Sequence, residues 1–248
     1  MTRAKAAETL ESIAHQRLLD DIRSGELPPN SRLKIRDLAA RYEIGATPLR
    51  EALSKLVPEG LVSVEQNKGF RVAPLSLREL IEITEMRQII EAEAFRRSLE
   101  RGDDTWESEV VAAFHRLSKS IATYPAGKTN EARLEWEERH RGFHRVLVSA
   151  CGNSKLIRGV EMLHQNLIRY RSVFLMTEIS TDELRFMHQD LMRVALDRDL
   201  DAAIPIMRRH VKVNVDQVKD GLNKNPNLEI LVEDGDAGLK LHSHRTSD

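Results

Sequence analysis

Residues 32–72, RLKIRDLAARYEIGATPLREALSKLVPEGLVSVEQNKGFRV, decide the fold of the N-terminal part of this chain. Apolar side chains recur there at i, i+3, i+4 and i+7, as Leu49, Ala52, Leu53 and Leu56. This spacing predicts a helix that packs with one face and presents Arg50, Ser54 and Lys55 on the other. A shorter amphipathic segment precedes it, and the break Ile44-Gly45 has the length of a helix-turn-helix loop. The stretch therefore predicts a helix-turn-helix whose second helix enters the major groove of DNA.

The start of the second helix and the segment after it are also predicted by local sequence. Thr47 can cap free amides of a first turn and Pro48 has no amide to leave unpaired, so we expect the helix to begin near residues 45–48. Two short alternating runs then flank the turn-forming sequence QNKG, which predicts a β-hairpin. Lys68 and Gly69 at its tip can approach a phosphate backbone, because glycine adds no side-chain bulk.

Length, charge and cysteine content limit the class of protein. A chain of 248 residues can form two modest domains without a disulfide or metal to hold them. The net charge is −1, but residues 32–71 hold eight Lys or Arg against five Asp or Glu, a local +3 that favours DNA here. The lone Cys151 excludes an intramolecular disulfide, and no stretch reaches the roughly 20 apolar residues of a membrane span. We expect a cytoplasmic protein without membrane contact.

The sequence changes character after Val72. Pro74 ends the hairpin, and Ser76 with Glu79 forms a capping box that opens a long helix to about Leu99. Beyond it, helical patterns separated by Gly-, Pro- and Asp-containing breaks predict a bundle of six or seven helices without strands. We predict a mainly α protein in three parts, a winged helix-turn-helix domain, an all-helical bundle and a tail of uncertain order, at residues 1–75, 76–222 and 223–248.

Histidines concentrate in two segments of the helical part. His140 and His144 are four residues apart, which puts both rings on one face of a helix at a chelating spacing. His188 and His210 lie in consecutive helices separated by a break at residues 199–201, so antiparallel packing brings their rings together. Four neutral imidazoles suit a divalent Zn, Ni, Co or Fe ion as cofactor, although such histidine pairs also occur on solvated helix faces.

In order and spacing, the motifs LxxRDLAxxY, TPLREAL, EGLV and KGFRV resemble the N-terminal winged helix of GntR-type bacterial transcription regulators. Without the resemblance, an ordinary helical region ending in a hairpin explains the same spacing. The match covers roughly residues 10–75 and implies that four residues contact operator phosphates or bases, namely Arg36, Thr47, Arg50 and Gly69. The chain departs from the family at Gly45 and Ala46, where a capping Ser or Thr and often an arginine stand, so the operator sequence stays open.

Residues 76–215 resemble the helical effector domain, called FCD, of the FadR branch of that family, in the subgroup with a buried metal. The subgroup pattern is an acidic residue, a histidine four later, another about 44 further on and a third 22 beyond. Three histidines reproduce this spacing: His144, His188 and His210. His140 stands at the acidic position, which removes one negative charge and favours softer cations. His115 and His164 match no ligand position and are expected to be structural or solvated.

The same resemblance implies an effector pocket. Arg87 with Glu91 reproduces the RxxxE pattern that frequently binds a carboxylate in the family, and Arg169 in the RYR motif is a second candidate. Each can instead be a surface or ion-paired arginine. Guanidinium groups beside a metal suit a small mono- or dicarboxylate. Residues 136–156, with RYR and TPLREAL, resemble members of the family that govern glutarate and 4-aminobutyrate catabolism, which makes glutarate the specific candidate.

The sequence thus predicts a homodimeric transcription regulator, a repressor that its carboxylate effector releases from double-stranded operator DNA. Two alternatives remain: a metal-dependent hydrolase fused to a winged helix, and an architectural DNA binder without a ligand. The hydrolase has little support, because HRGFH lacks the Glu of HExxH and no GxSxG, P-loop or GxGxxG occurs. We therefore expect no enzymatic activity. DNA affinity that changes with a metabolite separates the regulator from both alternatives.

Overall fold

The computed structural model describes residues 9–65, 68–127, 130–174, 180–224, 231–232 and 240–241, and it divides into two compact units between Pro74 and Leu75. In its described part the first unit holds Leu10–Ser24 (α1), Arg32–Leu33 (β1), Ile35–Tyr42 (α2), Ala46–Leu56 (α3), Val62–Glu65 (β2) and Gly69–Val72 (β3). β3 lies between β1 and β2 and pairs antiparallel with both. The predicted helix-turn-helix followed by a two-stranded wing is confirmed.

The apolar stripe of α3 forms the centre of this unit. All four of its predicted side chains are fully buried: Leu49, Ala52, Leu53 and Leu56. They belong to one cluster with Leu18 and Ile22 of α1 and with Val72 at the end of the wing. Because one face of α3 is used for packing, Arg50 and Lys55 on the other face stay exposed.

α3 begins at Ala46, within the predicted residues 45–48, but its cap differs from the prediction. Gly45 is the N-cap and no side chain caps the helix, so the expectation that Thr47 caps it is wrong. Thr47 is the second helical residue. Pro48, the third, has no N–H, so the helix lacks one of the donors that a cap oxygen normally satisfies. Glycine at the cap therefore costs little.

The second unit holds six α-helices and a short 3₁₀ helix in its described part, which agrees with the predicted six or seven. They are Leu77–Arg101 (α4), Asp104–Gly127 (α5), Asn130–Val148 (α6), the 3₁₀ helix Ser149–Cys151, Ser154–Phe174 (α7), Thr181–Asp197 (α8) and Leu200–Lys224 (α9). α4 packs against α6, α7 and α9, and α5 packs against α6 and α8. Short strands Leu231–Val232 (β4) and Lys240–Leu241 (β5) pair antiparallel. The rest of the predicted tail after residue 224 lies outside the described residues.

The predicted capping box at the start of α4 is half formed. The Ser76 hydroxyl accepts the Glu79 amide at 3.2 Å, as expected. The Glu79 carboxylate turns to Tyr170 of α7 instead of returning to the Ser76 amide, and the Tyr170 hydroxyl accepts that amide at 3.2 Å. This exchange ties the first turn of α4 to α7. Among the described helices, none has both the length and the apolar character that spanning a membrane requires.

Candidate functional site

Four buried imidazoles converge inside the helical unit. His140 and His144 come from α6, His188 from α8 and His210 from α9, and one nitrogen of each lies within 4.8 Å of the others. No ring is more than 9% exposed. Their helices bring them together because the rings stand on the faces that pack inward. The structure thus unites all four histidines that the sequence singles out, and we call them the histidine cluster.

Hydrogen bonding orients individual rings of the cluster. Nδ1–H of His188 donates to the Leu184 carbonyl at 2.6 Å, so Nε2 carries the free lone pair. That Nε2 is buried and has no hydrogen-bond partner among the described residues. The Nε2 atoms of His144 and His210 face each other at 3.1 Å, an approach that requires a shared proton or a shared cation. His140 stacks on Trp136, with ring centroids 4.8 Å apart.

Burial keeps the cluster rings neutral. It lowers the pKa of His140, His144 and His210 well below the usual value, and neighbouring positive charge, including Arg171 beside His140, lowers them further. Burial likewise lowers the pKa of His188 to about 4. Neutral imidazole is the form that coordinates a metal. Because the cluster offers nitrogen donors without a carboxylate, it fits a borderline divalent ion such as zinc.

A buried ion pair on α4 borders the cluster. Arg87 and Glu91 are each 1% exposed and are joined through Nε and Oε1, and through Nη2 and Oε2 at 3.2 Å. His164 of α7 lies 3.2 Å from Glu91 Oε1 and 3.0 Å from Arg87 Nη2. Burial alone would raise the pKa of Glu91, but the positive charge of Arg87 and the His164 ring lower it to about 2. Glu91 is therefore a carboxylate at any physiological pH.

His164, which sequence reasoning left outside the site, is part of it. Donor atoms of Glu91, His144 and His164 lie within 4.8 Å of one another, so His144 belongs to both groups. The sequence of α7 indicates that His164 is buried, because it lies on the buried stripe of this helix. The stripe has i, i+4, i+7 and i+11 spacing and consists of Val160, His164, Leu167 and Arg171. His115, in contrast, is exposed on α5.

The two arginines of the RYR motif lie in different environments. Arg169 pairs with Glu79 at 3.2 Å and lies over the Tyr170 ring, and Glu79 is two helical turns from Arg87 along α4. Arg171 forms a buried pair with Glu137 of α6, at 2.6 and 2.7 Å. The structure therefore brings Arg171, which the sequence analysis missed, close to the histidine cluster. It places Arg169 at the start of α4, away from the Arg87 pair.

The candidate DNA-binding residues lie on the exposed surface of the first unit. Arg36, Arg50, Lys68 and Gly69 line an open cleft of about 480 Å³ between α2, α3 and the wing. Thr47 is exposed near the start of α3 and does not line this cleft. Gly69 has a φ of +86°, a conformation that only glycine adopts without strain. With Lys34, which also lines the cleft, four cations surround one concave surface, a charge that suits phosphate groups.

A winged helix-turn-helix joined to a helical unit with a buried polar centre defines a class, that of two-domain DNA-binding regulators. Residues 10–72 match the model for bacterial regulatory proteins of the gntR family, and residues 82–213 match the FCD domain. The chain therefore belongs to the GntR family of bacterial transcription regulators, in its FadR-like branch with an FCD domain. It is a DNA-binding transcription regulator, and the family confirms the resemblance found in the sequence.

Curated relatives and solved structures agree with this assignment. The HTH-type transcriptional repressor GlaR of Escherichia coli (strain K12) is 36% identical over 212 residues, which are 84% of this chain and 95% of the relative. The uncharacterised HTH-type transcriptional regulator BphR of Paraburkholderia xenovorans (strain LB400) is 35% identical over 207 residues, 82% of this chain and 83% of the relative. E. coli McbR/YncC shares the fold, with a TM-score of 0.70 at 20% identity over 86% of this chain and 98% of the other. GlaR and BphR are both named as HTH-type transcriptional regulators or repressors.

Proposed function

We propose that this protein is a transcriptional repressor whose operator affinity is controlled by a small carboxylate bound beside a histidine-held metal. The observation that carries the proposal is the convergence of four buried imidazoles next to the buried Arg87–Glu91 pair. Structural histidines are normally satisfied by protein hydrogen bonds, whereas ring nitrogens of this cluster are buried without partners among the described residues. The similarity to GlaR, which is named as a transcriptional repressor, supports the direction of control.

His140, His144, His188 and His210 hold the metal in this proposal. A bound zinc ion supplies a Lewis-acid position to which a carboxylate oxygen can coordinate. Arg87 fixes the same carboxylate, since its Nη1 is buried and has no hydrogen-bond partner among the described residues while Nε and Nη2 engage Glu91. The effector class is therefore a small mono- or dicarboxylate, with glutarate as the first compound to test.

On the DNA side, we propose a homodimer that places two α3 helices on the half-sites of a pseudo-palindrome in the bacterial cytoplasm. Arg50 on the exposed face of α3 reads a base. Arg36, Lys68 and Gly69 contact phosphates at the cleft, and Thr47 contacts a phosphate near the start of α3. The dimer forms through the helical units, and the effector changes which arrangement of the two winged helices is favoured.

The experiment selects operator sequences from randomised duplexes and measures their affinity by fluorescence anisotropy at fixed salt, with zinc and with glutarate or other small carboxylates. We expect an effector to weaken operator binding at least about fivefold, and the operator to weaken effector binding by the same factor. Arg50→Ala should cost about 1–3 kcal/mol of operator affinity. The double variant His144→Ala/His210→Ala should keep DNA binding but lose stoichiometric metal and the effector response.

Two results would contradict the proposal. Metal retained by the double histidine variant would mean that the rings are structural. Operator affinity unaffected by every carboxylate, in protein shown to contain metal, would remove the effector mechanism and leave an architectural DNA binder. Turnover of a carboxylate substrate would instead favour the metal-dependent hydrolase.

A further inference from the structure

The carboxylate of Glu91 faces a ring of the histidine cluster as well as its partner Arg87. Its Oε2 lies 3.9 Å from Nδ1 of His144, and the two side chains are 1% and 2% exposed. Among the described residues, no other carboxylate oxygen lies within 4.0 Å of a ring nitrogen of the cluster. The inference drawn from this contact rests on the function proposed above, in which the cluster holds a metal.

The two ring nitrogens of His144 face different neighbours. Nε2 lies 3.1 Å from Nε2 of His210. Two nitrogen ligands of a tetrahedral zinc ion stand about 3.3 Å apart, given Zn–N distances of about 2.0–2.1 Å, so Nε2 is the nitrogen placed to bind the ion. A neutral imidazole that coordinates through Nε2 carries its proton on Nδ1. That Nδ1 is buried and has no hydrogen-bond partner among the described residues, so its proton needs an acceptor.

Glu91 has an oxygen free to accept this proton. A carboxylate offers about four lone-pair positions on its two oxygens. Oε1 has two neighbours, Nε of Arg87 and Nε2 of His164, the latter at 3.2 Å. Among the described residues, Oε2 accepts a hydrogen bond only from Nη2 of Arg87, at 3.2 Å. The oxygen with lone-pair capacity to spare is thus the one that faces His144, and an approach of about 1 Å completes a hydrogen bond.

An acceptor behind a metal-binding histidine changes how that ring binds. It fixes the tautomer and the orientation of the ring, and it makes the coordinating nitrogen more basic. His188 has such an acceptor in the Leu184 carbonyl, at 2.6 Å from its Nδ1. A carboxylate is the stronger acceptor, because hydrogen bonds to a charged group are roughly twice as strong as those between neutral groups.

We propose that Glu91 is a positioning residue of the metal site: its Oε2 accepts the Nδ1 proton of His144 and directs Nε2 of that ring to the metal. Arg87 and His164 hold the carboxylate from its other side. Glu91 thereby contributes to metal affinity without being a ligand. The alternative role, in which Glu91 is only the counter-charge of Arg87, gives no reason for zinc affinity or the tautomer of His144 to depend on it.

The test removes whole buried arginine–glutamate pairs and measures the zinc affinity of the full-length protein in competition with a chelator of known affinity. Arg87→Met/Glu91→Met removes the pair beside His144 and leaves no lone charge inside. We expect zinc to bind at least about tenfold more weakly, as when the hydrogen-bond partner of a metal ligand is lost. The matched control, Arg171→Met/Glu137→Met, removes the other buried pair and should leave zinc affinity unchanged.

A further variant and a spectroscopic measurement distinguish the hydrogen bond from a structural effect. Arg87→Met/Glu91→Gln restores an acceptor oxygen without its charge and should recover part of the lost zinc affinity. Nitrogen-15 NMR of histidine-labelled, zinc-loaded protein reads each tautomer, with His144→Gln to assign the signal. We expect Nδ1 of His144 to be protonated in the unaltered protein, and its proton to exchange faster with water in Arg87→Met/Glu91→Met. The Nδ1 proton of His188 is the internal reference.

The outcomes separate this inference from the function on which it rests. Unchanged zinc affinity in Arg87→Met/Glu91→Met overturns the role of Glu91, while the metal site survives. An equal loss in the control variant also overturns it, because the loss then comes from disturbing the interior. An unprotonated Nδ1 of His144 in zinc-loaded, unaltered protein overturns it even if the variants do not fold. Unaltered protein that binds no stoichiometric zinc refutes the proposed metal site, and this inference with it.

Discussion

Burial decides how much an ion pair contributes to the free energy of unfolding. Two pairs of the same kind on α4 illustrate this. Arg87–Glu91 and Arg78–Glu82 are both arginine–glutamate pairs four residues apart. The side chains of the first are 1% exposed, and those of the second are 67% and 61% exposed. Water and salt screen the exposed pair, whereas each charge of the buried pair depends on its partner. The same spacing therefore has different energetic consequences at the two places.

Glu91→Gln should destabilise the metal-free protein by about 3–5 kcal/mol, because it leaves the Arg87 charge buried without its counter-charge. Glu82→Gln, the matched change at the exposed pair, should cost less than about 0.5 kcal/mol. Urea unfolding followed by circular dichroism measures both free energies. Equal effects of the two substitutions would show that burial does not set the contribution of these pairs.

The histidine cluster makes the stability of the metal-free protein dependent on pH. The folded-state pKa of each cluster ring lies below the usual value of about 6.5. Between that folded-state pKa and about pH 6.5, the unfolded chain therefore binds more protons than the folded protein. Stability is therefore fully present above about pH 6.5 and falls as the pH decreases. Each ring contributes a slope of up to about 1.4 kcal/mol per pH unit.

His188→Gln should reduce that slope by about one ring's share between pH 6.5 and the His188 pKa of about 4. His115→Gln, a change at an exposed ring of α5, should keep the full slope. The measurement is the free energy of urea unfolding between pH 8 and 5 with a chelator present. A slope unchanged by His188→Gln would contradict the neutral state of the buried ring.

At the scale of elements, two glycines differ in the space available for a Cβ atom: one lies inside a helix and the other at a helix end. Gly142 lies inside α6, and a Cβ built on it meets nothing within 4 Å. Gly102 ends α4, and a Cβ there would lie 2.3 Å from Cε3 of Trp106 and 2.9 Å from the Ser98 carbonyl oxygen. The indole is held by its hydrogen bond to the Val146 carbonyl at 2.8 Å. Only Gly102 is therefore needed for close packing.

Gly142→Ala should stabilise the protein by about 0.5–1 kcal/mol, since alanine loses less backbone entropy in a helix. Gly102→Ala should destabilise it by about 1–3 kcal/mol, because the ring of Trp106 must shift to admit the new methyl group. Thermal unfolding of both variants beside the unaltered protein measures the two changes. Changes of the same sign would contradict this division of roles.

The periodicity of apolar residues predicts these elements well. It does not predict which side of a helix faces a site, or which residues distant in sequence contact each other. The stripe of α3 and the register of His140 and His144 follow from local spacing alone. Choosing between Arg169 and Arg171 requires knowing which side of α7 faces the cluster, and two residues differ by about 200° around a helix. His164 was missed because Glu91, the carboxylate beside it, lies 73 residues away in sequence. Thr47 was misassigned because Gly45, without a side chain, occupies the cap.

At the scale of the whole molecule, the hydrophobic cores follow the division of the chain. In the described part, one buried apolar cluster contains residues 14–72 only. Two others contain residues 92–211 and 75–218. Each unit thus has its own core, as independently cooperative domains do. A ligand that binds the helical unit should stabilise that unit first.

Zinc should therefore raise the unfolding temperature of the helical unit, by a stabilisation of about 2.7 kcal/mol at a free concentration 100 times its dissociation constant. Calorimetry should show this transition moving while that of the winged helix stays in place. Hydrogen exchange assigns the two transitions, with slower amide exchange in α6, α8 and α9 and unchanged exchange in α1 to α3. His144→Ala/His210→Ala should abolish the shift. If zinc instead shifts both transitions together, the two units unfold as one cooperative body. Zinc binding would then also stabilise the winged helix and its DNA-binding surface.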